Sequence, residues 1–200
     1  GDFEQAIDYL RKKGAKVAAN RGDRDSKEGV VLAKTSADNK TGILIWVNCE
    51  TDFVAINADF IAFADSIATI ALEKNAKTKE EILTLPYNGD ITVGDKFMEQ
   101  VGKIGEKIEI GYFETITAEK VSAYIHPGNR VSVIVGFNKD VADEVGRNVA
   151  MQAAAMAPVA LDKEGVTQEM LDRELEIARE VIRAEGKPED MVEKIAQGKI

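Results

Sequence analysis

Three groups of residues in this chain could carry chemistry. Cys49 and His126 are its single cysteine and single histidine, and a thiolate beside an imidazole would be a nucleophile with its base. Cys49, however, closes an apolar run, Gly42-Ile43-Leu44-Ile45-Trp46-Val47, where a small buried residue is the simpler reading. His126 stands beside Pro127 in a turn pattern, where an imidazole is usually only solvated. One histidine, without a cysteine pair at ligand spacing, makes a poor metal site. Gly102-Lys103-Ile104-Gly105 suggests phosphate binding, but it lacks P-loop spacing and follows no strand. Ile104 then reads as a core residue at a helix end. The third group is Asn48-Cys49-Glu50-Thr51-Asp52-Phe53-Val54. It is predicted to be a polar loop between the apolar strand and a helix beginning near Ala58. Loops seldom carry a large apolar ring. Either Phe53 folds back to cap the local core, or Asp52 and Phe53 together form a probe for another protein.

The elements around these residues follow from periodicity. Gly29–Lys34 and Gly42–Val47 flank turn chemistry at 36–41 and predict a β-hairpin. Phe60, Phe63, Ile67 and Ile70 follow at helical spacing over about 58–72, with Phe60, Phe63 and Ile67 facing the sheet. Short helices are predicted over 79–85 and 95–104, and Lys107–Phe113 alternates as a strand. The order then repeats, with strand 120–125, the turn His126-Pro127-Gly128-Asn129, return strand 130–137, connection Asn138-Lys139-Asp140 and helix 141–156. A structural duplication is the economical explanation. Thr167 to Glu185 and Glu189 to Gln197, separated by Gly186-Lys187-Pro188, predict a helical hairpin.

At the start, Asp2 is a candidate N-cap, and Phe3, Ile7 and Leu10 follow at helical spacing. Lys12, Lys13 and Gly14 read as the end of that helix. So short a helix cannot bury its own apolar face and is expected to belong to a larger N-terminal module. Residues 16–27 read as a linker with room for one more helical turn, with Arg21 and Arg24 as solvated charges or, for Arg21, as a partner contact. The fold class is α+β, with two hairpin-plus-helix subdomains. Its divisions are 1–27, a remnant N-terminal helix and linker; 28–115, a first core subdomain; and 116–200, a second core subdomain with a helical extension.

Lys and Arg number 26 against 35 Asp and Glu, a net charge of -9. That disfavours broad nucleic-acid binding, which needs a basic face. A hydrophobic fraction of 44% with 30% charged residues reads as globular. One cysteine permits no internal disulfide and fits a reducing cytoplasm. No apolar run is long enough to span a bilayer.

The string Val47-Asn48-Cys49-Glu50-Thr51-Asp52-Phe53-Val54-Ala55 resembles the signature of the elongation factor Ts family, the bacterial guanine-nucleotide exchange factors for elongation factor Tu. Asp8–Gly14 resembles the end of that family's N-terminal (UBA-like) module, His126–Val131 its second hairpin, Ala150–Ala154 its second core helix, and Glu185–Glu189 its helical extension. The resemblance implies a core of two similar α/β subdomains and a chain truncated at both ends, without the returning strand of the second sheet. It implies elongation factor Tu as partner, no cofactor and no metal, and exchange activity without enzymatic chemistry. It also implies partner contacts at Thr51, Asp52, Phe53, Val54, Ile104, His126 and Arg21. Gln152 stands where the family commonly has histidine. The alternative is a structural or chaperone-like subunit that binds elongation factor Tu without accelerating exchange.

Overall fold

A computed structural model describes residues 2–199. They gather into two units, 2–156 and 157–199. In the first, helix α1 (Phe3–Arg21) precedes the antiparallel strands β1 (Glu28–Thr35) and β2 (Thr41–Cys49). A four-residue helix α2 (Asp52–Ala55) leads into α3 (Ala58–Glu73), α4 (Lys79–Thr84), a small β3–β4 ladder (Pro86–Asn88 and Ile91–Thr92) and α5 (Val93–Ile104). β5 (Glu109–Thr117) returns to the far side of β2, so the first sheet has the order β1-β2-β5.

β1 and β2 alternate such that Val30, Leu32, Ile43, Ile45 and Val47 are buried. They meet Phe60, Phe63, Ala64, Ile67 and Ala71 of α3, as that helix's spacing predicts. Phe97 and Val101 of α5 join the same core, and the Phe63 and Phe97 rings pack edge to face at 5.0 Å.

The second hairpin is β6 (Lys120–Ile125) with β7 (Ser132–Phe137), followed by α6 (Asp143–Met156) packed on both strands. Its turn lies against the outer edge of β1. Val31 N–H donates to Asn129 O at 2.7 Å, Ser132 Oγ donates to Val31 O at 2.8 Å, and Arg130 pairs with Glu28 at 2.7 Å. An edge strand's unpaired groups are thereby partly covered. In the second unit, α7 (Gln168–Ala184) and α8 (Glu189–Lys199) form the expected helical hairpin, with Ile182, Val192 and Ala196 buried between them.

The beginning of the chain departs from expectation. Gly14 does not end a helix, and 16–21 is not a linker with a separate helical turn but the continuation of the same helix. α1 runs unbroken through both for 19 residues. The reason is tertiary: Gly14 is buried where α1 crosses α5. A Cβ there would lie 1.8 Å from Met98 O, and one on Gly102 would lie 2.1 Å from Leu10 O. Two glycines spend their missing side chains on backbone contact, so Gly14 breaks nothing. Arg11 is ion-paired with Asp95 beside this crossing. Asp95 also completes a capping box with Thr92 at the start of α5, two residues earlier than expected.

The crossing makes Gly14→Ala informative, because local propensity and packing oppose each other. In an open helix the change stabilises by about 1 kcal/mol. Here the helices must separate, and overpacking costs about 1–3 kcal/mol. Urea unfolding should show the variant less stable than the parent; an unchanged or higher midpoint would mean that the helices do not touch at Gly14.

Candidate functional site

The segment between β2 and α3 is held by carboxylates. Where the β2 ladder stops, backbone donors need new acceptors. Glu106 supplies them. Its Oε2 accepts from Glu50 N–H at 3.0 Å and Thr51 N–H at 3.1 Å, and its Oε1 accepts from the Thr51 hydroxyl at 2.7 Å. Thr51 caps α2 by accepting from Val54 N–H at 3.4 Å. Glu50 reaches back across the same gap. Its Oε1 accepts from Lys107 N–H at 2.7 Å, and its Oε2 pairs with Arg21 Nη1 at 2.6 Å. Lys107 in turn donates its Nζ to Gly22 O at 3.1 Å. The exit of β2, the end of α1 and the α5–β5 connection are thus tied into one polar knot.

The expected loop is therefore a capped helical turn, and this decides which of its side chains face outward. Val54 packs against the core and Ala55 is buried. Phe53 is 78% exposed and Ile56 70% exposed, with Asp52 exposed beside them. Phe53 does not fold back as a cap; Val54 takes that place. Ile104 ends α5, half-buried against the core two residues before Glu106. Gly105, in the left-handed region at φ 83, reverses the chain between them. Arg21 is not a linker charge but the last residue of α1, engaged with Glu50.

His126 lies exposed at the other hairpin's turn, with Tyr124 Oη 2.9 Å from its Nδ1. Tyr124, His126, Val131, Met151, Ala154 and Ala155 line an open groove of about 390 Å³. Gln152 is exposed on the same helix, α6. The two places are linked through β1. Asn129 and Arg130, from the His126 turn, bond Val31 and Glu28, and Glu28 is the register partner of Cys49. Cys49 and His126 make no pair. Cys49 is fully buried, its thiol donating to Thr51 O at 3.2 Å, whereas His126 bonds Tyr124. Among the described residues no group of three or more histidine, cysteine or acidic side chains gathers to hold a metal ion, and no helix is long and apolar enough to cross a membrane.

Known proteins match this chain along its whole length. The family described as Elongation factor TS matches residues 50–200. The Elongation factor Ts of Christiangramia forsetii is 56% identical over 202 residues, covering 100% of this chain and 73% of that relative. That of Flavobacterium psychrophilum is 52% identical with the same coverage, and that of Porphyromonas gingivalis is 45% identical over 98% of this chain and 71% of the relative. The chain belongs to the elongation factor Ts family. The string Val47–Ala55 is the strand end and capped turn held by Glu106. Sequence reasoning passed over Glu106 because a glutamate after a helix-ending glycine has no motif of its own. Glu50, though inside that string, read only as a polar loop residue.

Two consequences can be measured. Burial, reinforced by the nearby Glu106 charge, pushes the Cys49 thiol up to about 12, so it stays neutral and a poor nucleophile at pH 7. A disulfide reagent should modify it only after urea unfolding; rapid reaction in the folded state would contradict this placement. For Glu50, burial favours the neutral acid, but the Lys107 N–H bond and Arg21 outweigh it and hold the carboxyl below its ordinary value. A lowered folded-state pKa stabilises fully above the unfolded value, about 4.3, and the contribution disappears as pH falls through the folded value. The urea midpoint of Glu50→Gln should lie below the parent's at pH 7, and the gap should close on acidification below pH 4. A gap that persists or widens at low pH would remove Glu50 from the linkage.

Proposed function

We propose that this chain is a non-enzymatic guanine-nucleotide exchange factor that binds elongation factor Tu and promotes GDP release through Asp52 and Phe53. The observation that carries the reading is a phenylalanine ring 78% exposed on a turn whose backbone is pinned on both sides. A protein gains nothing in its own stability by holding such a ring in water, and rigid aromatic anchors are the residues that dominate interfaces. Family membership points to the same activity.

The mechanism follows from linkage. A factor that binds the nucleotide-free state of a GTPase more tightly than the nucleotide-bound state must weaken nucleotide binding by the same factor. Phe53 enters an apolar slot of the partner. Asp52 brings a charge to the shell around the magnesium ion, which is the largest local charge holding the phosphates. Thr51 and Val54 face inward and set the angle at which the pair projects. Ile104, at the end of α5, adds an apolar partner contact, and Arg21, held by Glu50, a charged one. His126 and its groove form a second contact, so the interface is bipartite. No bond in the nucleotide is made or broken.

Phe53→Ala decides between this and passive binding. The fold should survive, because the ring touches little of it. Truncating a hot-spot aromatic typically costs about 2 kcal/mol or more, roughly 30-fold. Release of fluorescent GDP from elongation factor Tu, with the chain in catalytic amount, should slow by that order. If the parent chain binds the partner but does not speed release, it is a binding subunit only; if Phe53→Ala releases GDP as fast as the parent, Phe53 is not the wedge.

A further inference from the structure

We infer that Glu106 is the positioning residue of the Asp52–Phe53 turn, acting through the Thr51 hydroxyl. The inference rests on the reading of that turn as the exchange element. α2 has four residues, too few to be stable alone. Phe53 and the following Ile56 are exposed, so the packing of these two side chains cannot orient it. Val54 and Ala55 seat the turn on the core, and the cap fixes how the backbone enters it. A threonine hydroxyl has one hydrogen and rotates freely unless both its sides are engaged. Here the hydrogen goes to Glu106 Oε1 at 2.7 Å, which turns the oxygen's lone pairs toward Val54 N–H. The other carboxylate oxygen takes the two backbone donors immediately before α2, those of Glu50 and Thr51.

Glu106 itself comes from firm ground. It follows α5, which is capped at its start by Thr92 and Asp95 and closely crossed by α1 at Gly14 and Gly102. Gly105, at φ 83, turns the chain so that the carboxylate points back at the end of β2. Besides the Val54 and Ala55 packing, the carboxylate of Glu106 thus ties the entry of the Phe53 turn to the core. An orienting residue of this kind lowers the entropy lost on docking a side chain, without touching the partner.

The test uses the full chain as parent, Glu106→Ala, Glu106→Gln and Phe53→Ala, each checked for folding by circular dichroism and urea unfolding. The first readout is amide hydrogen exchange of Val54, Ala55 and Ile56 in the isolated chain. These N–H groups bond Thr51 or Asp52 and none bonds Glu106. In Glu106→Ala they should exchange at least 10-fold faster while the β1–β2 ladder stays protected, and Phe53→Ala should leave them at the parent rate. The second readout is the saturating rate of stimulated GDP release, which should fall at least 10-fold in Glu106→Ala. Glu106→Gln, which keeps one acceptor oxygen, should fall between Ala and the parent in both; should Glu106→Ala fail to fold, the glutamine variant carries the comparison. Unchanged amide protection overturns the inference, because the turn then does not depend on the carboxylate. Faster amide exchange with unimpaired GDP release also overturns it whenever Phe53→Ala is impaired, because the turn matters but its rigidity does not. If Phe53→Ala releases GDP normally, the reading of the turn fails first and Glu106's role in exchange falls with it.

Discussion

A strand that ends inside a protein leaves backbone donors behind it, and the first unit is arranged around meeting that demand where β2 stops. The answer is reciprocal. Glu106 serves the backbone of Glu50 and Thr51, and Glu50 serves the backbone of Lys107. Each carboxylate crosses the same gap in the opposite direction, and hydrogen bonds to an ionised acceptor are stronger than neutral ones. Neither segment can move away without uncovering charge as well as N–H groups, which is far costlier than losing one neutral bond. Helix α2, and so the direction of Phe53, depends on this pair of straps.

The straps hold only because what lies behind them is rigid. α5 presents Glu106, and α5 is clamped by α1 through a crossing so close that the backbones meet at Gly14 and Gly102. α1 then delivers Arg21 to Glu50 from its last turn. The N-terminal helix thereby reaches the site by two routes, one of packing and one of charge. On the other flank, the His126 turn is stitched to the start of β1, whose residue Glu28 pairs in register with Cys49. Both regions proposed to meet the partner are thus referred to the same end of the same ladder.

Exposed Phe53 and Ile56 form a small apolar surface bordered by Asp52. Two exposed apolar side chains would be unremarkable if scattered. Here they sit on a turn held by several polar contacts, and order without burial suits recognition better than it suits stability. The neighbouring carboxylate also helps solubility and opposes random association of the apolar pair.

The elements were largely legible in the sequence because they arise from short-range causes. Alternation in Gly29–Lys34 and Gly42–Val47, the helical spacing of Phe60, Phe63 and Ile67, and the breakers around Gly186-Lys187-Pro188 each act within a few residues, and the structure has them within two residues of their predicted limits. The string around Asp52 and Phe53 also pointed to the turn proposed here as the site. What could not be read depends on residues far apart in the chain. Gly14 carries a local signal for a helix end, and only the arrival of α5 some 85 residues later turns it into a contact point. Arg21 looks like a solvated charge until Glu50 is beside it. Glu106 has no motif at all; its place is set by a left-handed glycine and by where the third strand enters the sheet. Local propensity and periodicity thus determined which elements form, whereas long-range packing and the pairing of buried donors decided how the Asp52–Phe53 turn is held, because those energies exist only once distant segments meet.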